Sequence, residues 1–203
     1  MTQTSMQQRN DFDKIRVLSG AQLKYLAFLS MLIDHVNKAL IYPNLNGGIM
    51  LYISNLFDIL GRIAFPLFAF FVVEGYFKTK SRTKYLLNLI LFGIISEVTF
   101  DMFTSGTFYN PRFNNVMFSL ALCLITIWII DTLKTKMPRI LWYFISLLIV
   151  AIMCFVAMLL SVDYDYHAII IVYLLYVFYN KPILSVILGY FSIIKEFWAF
   201  LGF

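Results

Sequence analysis

Four ionisable residues lie inside apolar stretches of the sequence, where a charged side chain is costly unless it has a partner or faces a wet cavity. They are Asp34, His35, Arg62 and Glu97. Histidine exchanges protons near neutral pH, so His35 suits proton transfer, while Arg62 suits binding of an anion or a polarised oxygen. These residue types predict acid–base or anion chemistry inside an apolar environment.

The elements that must position these residues are apolar helices. Of the 203 residues 61% are hydrophobic and only 13% charged, with a mean hydropathy of +0.81. A soluble domain has about 25% charged residues, whereas a membrane-spanning helix needs about 20 mainly apolar residues. We therefore predict an all-α, polytopic integral membrane helix bundle of six or seven transmembrane helices, with candidate spans at 22–42, 52–77, 84–103, 113–131, 139–161, 165–180 and 182–203.

Basic residues mark every second connection between these spans. Under the positive-inside rule this alternation predicts a cytoplasmic N-terminus, with residues 1–18 as a tail and 19–203 as a single transmembrane domain. The same placement explains the net charge of +5 without a nucleic-acid partner. The 21 Phe and 13 Tyr are expected mostly to face lipid and the interfaces, and the two His and two Cys show no metal-ligand spacing.

The depth of each polar residue follows from the rise of an α-helix. His35, Arg62 and Glu97 are expected within about 5 Å of the membrane midplane, and Lys24 and Glu74 form a second level nearer the cytoplasm. Lys24 and His35 are separated by three helical turns and so share one face of the first helix. A Lys24/Glu74 pair is equally compatible with charges that snorkel to the interface.

Several segments carry these polar residues in a recognisable context. They are LKYLAFLSMLIDH at 23–35, GRIAFPLFAFFVVEGYFKTKSRTKYL at 61–86, SEVTFD at 96–101 and NNVMFSLAL at 114–122. From about residue 18 onward the sequence resembles the TraX family, named for the F-pilin acetylase, within the wider group of transmembrane acyltransferases. Lys24 and His35 also resemble that group's basic residue, ten intervening residues and histidine. Family members usually continue through further hydrophobic segments, so we expect a short variant or a truncated product.

This resemblance implies transfer of an acetyl group from acetyl-CoA, used as donor substrate, across or within the bacterial cytoplasmic membrane. The acceptor would be a pilin-like protein, a glycan or a lipid. His35 would act as general base or as an acyl-accepting nucleophile, with Asp34 or Glu97 orienting its ring and Arg62 stabilising the oxyanion. The residues expected to bind coenzyme A are Lys24, Glu74, Lys78, Arg82 and Lys84.

Two other functions fit the same residues. A small proton-coupled transporter would use the midplane set as a proton relay, although inverted repeats are common in carriers and we find no internal repeat. A non-enzymatic membrane assembly factor would use the charges only to fix its helices.

Overall fold

The computed structural model describes residues 19–181 together with Leu184 and Ile187. The predicted N-terminal tail and nearly all of the predicted span 182–203 lie outside the described residues. The described part contains no β-strand, only an isolated bridge between Asn114 and Val162. It contains seven α-helices, which are α1 (Gly20–Val36), α2 (Ile49–Gly61), α3 (Ala64–Lys78), α4 (Arg82–Ser105), α5 (Val116–Lys134), α6 (Arg139–Leu159) and α7 (Asp165–Val177).

Four helical segments of the described chain are long and apolar enough to cross a membrane. They are Ile49–Lys78, which includes a short break, and Arg82–Ser105, Val116–Lys134 and Arg139–Leu159. The prediction of an all-α membrane helix bundle is confirmed. Helix α7 is apolar but has only 13 residues, fewer than a span needs.

The first helix is fixed at its start by its own polar residues. The Ser19 hydroxyl accepts the Gln22 backbone N–H at 3.2 Å, and the Gln22 side chain accepts the Ser19 N–H at 2.8 Å, which forms a capping box. From Gly20 the α-helix is continuous to Val36, and a π-helical segment, Asn37–Ile41, follows it. This continuity keeps Lys24 and His35 on one face of α1.

The chain divides into two compact units, with the boundary between Leu67 and Phe68. In the first unit α1 packs against α2. In the second unit α5 packs against α4, α6 and α7, and its buried residues, among them Leu124, Ile127 and Ile130, form the centre of the core.

The predicted span 52–77 is not one helix but two. Helix α2 ends at Gly61, and α3 begins at Ala64 after a turn at Arg62 and Ile63. Pro66 lies in the first turn of α3, where its missing N–H cannot bond to the Arg62 carbonyl, so the helix ladder is interrupted there. The break places Arg62 at a helix end instead of within a regular helix.

Candidate functional site

A side chain of α1 donates hydrogen bonds to backbone carbonyls at the break between α2 and α3. The hydroxyl of Ser30, which is 4% exposed, donates to the Leu60 carbonyl and, at 3.2 Å, to the Gly61 carbonyl. Carbonyls at a helix end have no donor within the helix, and in a membrane the protein itself must supply one. Ser30 therefore stabilises irregular backbone next to Arg62.

Gly61 allows α1 and α2 to approach closely at the next turn. A Cβ atom at Gly61 would lie only 2.6 Å from the Cβ and 2.8 Å from Oδ1 of Asp34. No larger residue fits without a shift of one helix. Asp34 is thus held against the C-terminal end of α2.

Asn37 continues the contact one turn further along. It is fully buried, and its Nδ2 donates to the Ser54 carbonyl at 3.0 Å and to the Asp58 carboxylate at 2.8 Å. We name this contact the α1–α2 seam, formed by Ser30, Asp34, Asn37, Ser54, Asp58 and Gly61. The seam satisfies polar groups chiefly through neutral donors.

His35 lies beside the seam, and a hydrogen bond to the backbone determines which tautomer its neutral ring adopts. Its Nδ1 is 2.8 Å from the Met31 carbonyl oxygen, which can only accept a hydrogen bond. Nδ1 is therefore the protonated nitrogen, and the lone pair of the neutral ring is on Nε2. The side chain is 43% exposed, so the ring is not sealed in the core.

Asp34, one of the two residues expected to orient this ring, lies too far from it for a direct hydrogen bond. Its Oδ2 lies 4.0 Å from His35 Nδ1 and 2.7 Å from the Lys38 ammonium one turn later. The Met31 carbonyl, a group that the sequence did not suggest, makes the short contact to the ring. Asp34 contributes a nearby negative charge.

Glu97 is fixed in the second unit by the start of α5. Its Oε2 accepts the Asn115 backbone N–H at 3.2 Å and the Asn115 Nδ2 at 2.5 Å. Asn115 in turn caps α5, because its Oδ1 accepts the Met117 N–H at 2.9 Å. The predicted grouping of Glu97 with His35 and Arg62 stays a prediction.

One turn after Glu97, Asp101 is 1% exposed and accepts the Asn110 N–H at 2.8 Å. Glu97 Oε1 and Asp101 Oδ1 are buried without a hydrogen-bond partner among the described residues.

The residues predicted to bind coenzyme A have different surroundings. Glu74 pairs with Lys78 in the same helix at 2.6 Å, and the pairing with Lys24 considered from the sequence stays a prediction. Lys24 and Lys84 are exposed on α1 and α4. Arg82 lies 3.5 Å from Asp131, a residue that the sequence analysis did not select.

Asp131 is the centre of a network between four helices. Its two carboxylate oxygens accept the hydroxyl groups of Tyr76 at 2.6 Å and Tyr176 at 2.7 Å. The Arg82 guanidinium also lies over the Tyr76 ring, 4.1 Å from its centre. We name these four residues the Asp131 cluster.

The two tyrosines of this cluster are exceptions to the expectation that the aromatic residues mostly face lipid and the interfaces. Tyr76 and Tyr176 are 1% and 4% exposed. A signal for the cluster was present in the sequence, since Asp131 is the only acidic residue in its apolar segment and therefore needs a buried partner. Across residues 19–181 no group of three or more His, Cys, Asp or Glu is arranged to hold a metal ion.

Comparison with known proteins gives one family and one curated relative. The family model described as "TraX protein" matches residues 19–201. The relative is "Probable fimbrial assembly protein FimC, serogroup H1" from Dichelobacter nodosus, which is 36% identical over 118 residues, covering 55% of this chain and 46% of that protein. The match thus spans about half the length of this relative. No solved structure matches the chain.

Proposed function

The chain belongs to the TraX protein family, and from that premise we propose that it is a membrane-embedded acetyltransferase of the bacterial cytoplasmic membrane. It moves an acetyl group from acetyl-CoA to an acceptor in the cell envelope. The observation that supports this proposal best is the 2.8 Å contact between His35 Nδ1 and the Met31 carbonyl, which leaves Nε2 as the basic nitrogen of the ring.

The reaction needs one proton acceptor and one proton donor. The acceptor amine or hydroxyl attacks the thioester carbonyl and gives its proton to His35 Nε2, and a tetrahedral intermediate forms. The intermediate then collapses, the C–S bond breaks, and the imidazolium returns the proton to the thiolate of coenzyme A. His35 ends in its starting state, so no other reactant is required.

The neighbours of His35 have supporting roles in this scheme. The carboxylate of Asp34, 4.0 Å from the ring, stabilises the imidazolium that exists between the two steps. Arg62, exposed at the helix break, stabilises the oxyanion of the intermediate.

The acceptor we favour is the N-terminal amine of a pilin-like protein. The relative from Dichelobacter nodosus is named a fimbrial assembly protein, which favours a fimbrial subunit as the acceptor. A glycan hydroxyl or a lipid headgroup would undergo the same chemistry and is distinguished by the mass of the product.

Incubation of the purified full chain with radiolabelled acetyl-CoA and pilin-containing membranes tests the proposal. We expect His35→Gln to reduce label transfer by about 100-fold or more, since general base catalysis contributes about 10²–10⁴-fold. His167→Gln is the matched control, because His167 is the other histidine and stacks on Tyr166 in α7, 4.1 Å between ring centres. Equal rates for His35→Gln and the wild type would refute the assignment of the base.

A non-enzymatic assembly role is the second candidate, favoured by the printed name of the relative. In that case deletion of the gene abolishes fimbriae, whereas His35→Gln leaves both fimbriae and the mass of the pilin unchanged.

A further inference from the structure

A cavity of about 460 Å³ lies where the ends of α5, α6 and α7 meet in the second unit. Its volume is in the range of small-molecule sites, about 300–1,000 Å³. The residues that give it chemical character are two cations, Lys134 and Arg139, and three aromatic rings, Trp142, Tyr143 and Tyr176. We refer to it as the aromatic cavity.

Hydrogen bonds to residues outside the cavity fix two of its aromatic side chains. Trp142 is 4% exposed, and its indole N–H donates to the Ile130 carbonyl at 2.9 Å. Tyr176 is bonded through its hydroxyl to Asp131. Trp142 and Tyr176 are thus nearly fully buried and shape the wall of the cavity. The ring with an accessible face is Tyr143, which is 38% exposed and suits stacking of a planar heterocycle.

The cations of the cavity lie over these rings. The Lys134 ammonium is 5.3 Å from the centre of Trp142 and 5.8 Å from that of Tyr176, and the Arg139 guanidinium is 5.9 Å from that of Tyr143. Lys134 and Arg139 are both exposed, so an arriving phosphate can form a charge-assisted hydrogen bond that is stronger than an exposed cation–π contact. A ligand that fits has an aromatic base and a phosphate.

The negative charge next to the cavity does not oppose such a ligand. Asp131 accepts two tyrosine hydroxyl groups and lies 3.5 Å from Arg82, so its charge is compensated within the Asp131 cluster. By contrast, Lys78 is paired with Glu74 and Arg82 with Asp131, so these two residues, predicted from the sequence to bind coenzyme A, offer less charge to a phosphate.

We propose that the aromatic cavity binds the phosphorylated adenosine of coenzyme A, with the base against the Tyr143 ring and the phosphates on Lys134 and Arg139. The inference rests on the proposed acetyltransferase function. The predicted orientation agrees with it, since the connection between α5 and α6 is basic and is expected on the cytoplasmic side, where coenzyme A is available.

Binding of radiolabelled 3′-phosphoadenosine 5′-phosphate to the full chain, in nanodiscs of phosphatidylcholine alone, tests the site directly. We expect Lys134→Gln and Arg139→Gln each to raise the Kd about tenfold, since each removes one charged contact. Lys136→Gln is the matched control, because Lys136 is exposed in the same connection but does not line the cavity. It should change the Kd less than twofold, and inorganic pyrophosphate, which lacks the base, should bind more weakly than the nucleotide.

Two outcomes would overturn the site. The first is an equal effect of Arg139→Gln and Lys136→Gln, which would indicate only a general attraction of anions to the basic connection. The second is the absence of nucleotide binding together with Arg139-dependent retention of phosphatidylglycerol, which would identify a site for lipid headgroups. Thermal unfolding of each variant at the wild-type temperature shows that the fold is intact.

The failure of this site and the failure of the enzyme are distinguishable. If the wild type transfers acetyl groups while Arg139→Gln changes neither the nucleotide Kd nor the KM for acetyl-CoA, the site is wrong and the function stands. If Lys134 and Arg139 bind the nucleotide but no acetyl transfer occurs, the site stands and the function is wrong.

Discussion

The α1–α2 seam and the Asp131 cluster both contain charged residues within the helices of a membrane protein, and they differ in how those charges are satisfied. In the cluster one carboxylate receives two hydroxyl groups and an arginine. In the seam most hydrogen bonds come from neutral side chains, and Asp34 pairs with the exposed Lys38 at 2.7 Å. The cluster compensates its carboxylate with fixed partners, whereas the His35 side chain beside the seam is 43% exposed next to a helix break.

This difference shows that a charge inside an apolar segment is not by itself evidence of catalysis. What distinguishes the two regions is whether the charge is already compensated by fixed partners. A compensated group orients its neighbours, as Asp131 orients Tyr176, and an exposed group next to irregular backbone can meet a substrate.

Gly61→Ala should give the largest loss of stability, because the added methyl group disrupts the close packing of α1 against α2 in the seam. The added Cβ would lie 2.6 Å from Asp34 Cβ, and overpacking of this kind costs about 2–3 kcal/mol of unfolding free energy. Gly20→Ala is the matched control, since a Cβ at Gly20 has no atom within 4 Å. Thermal unfolding in nanodiscs measures both variants, and equal stability would mean that the seam is loosely packed.

Asp131→Asn should cost about 2 kcal/mol, because the ion pair with Arg82 is lost and one tyrosine hydroxyl then faces an amide donor. Asp34→Asn, at a similar exposed fraction, should cost less than about 1 kcal/mol, since its partner Lys38 is exposed and simply returns to water. Denaturant unfolding followed by circular dichroism compares them. A larger loss for Asp34→Asn would reverse the contrast between the two regions.

Asn37→Ser should cost about 1 kcal/mol, since the shorter side chain cannot reach both the Ser54 carbonyl and Asp58. Asn44→Ser is the control, because Asn44 is exposed and its side chain donates to the nearby Leu40 carbonyl in the same part of the chain. If the two substitutions cost the same, the buried amide contributes nothing specific to the seam.

Lys38→Gln should give the smallest effect, within about 0.5 kcal/mol, because an exposed pair four residues apart in a helix is weak. Its value is as a test of accessibility, since it should leave the fold intact while changing the charge beside His35. A loss of stability above about 1 kcal/mol would show that Asp34 and Lys38 form a compensated pair like that of the cluster.

The helices were predictable because their apolar length is a property of the local sequence. The predicted spans 84–103, 113–131 and 139–161 correspond to α4, α5 and α6. The division of the second span into two helices was predictable only in part. Pro66 indicates a possible kink, but the hydrogen bond from Ser30 that stabilises the break joins residues 31 positions apart, which local sequence does not reveal.

The polar partners were harder to predict because side-chain contacts between helices depend on rotation and packing. His35 could be selected from the sequence, but its hydrogen-bond partner could not, because that partner is a backbone carbonyl and every residue has one. Asp131 directly precedes the basic connection that indicates topology, so its position in the sequence does not show that it is the centre of a buried network. Its tyrosine partners lie 45 and 55 positions away.

The π-helical segment Asn37–Ile41 has a consequence for how the gene can change. A π-helical turn holds one residue more than an α-helical turn, so loss of one codon within it would leave an ordinary α-helix instead of a broken one. Because the wide turn absorbs the extra residue, the residues on both sides of the deletion would keep their orientation relative to His35. Relatives with a single-residue gap at this place would therefore keep the histidine face and shorten the helix by about one residue without turning its outer end.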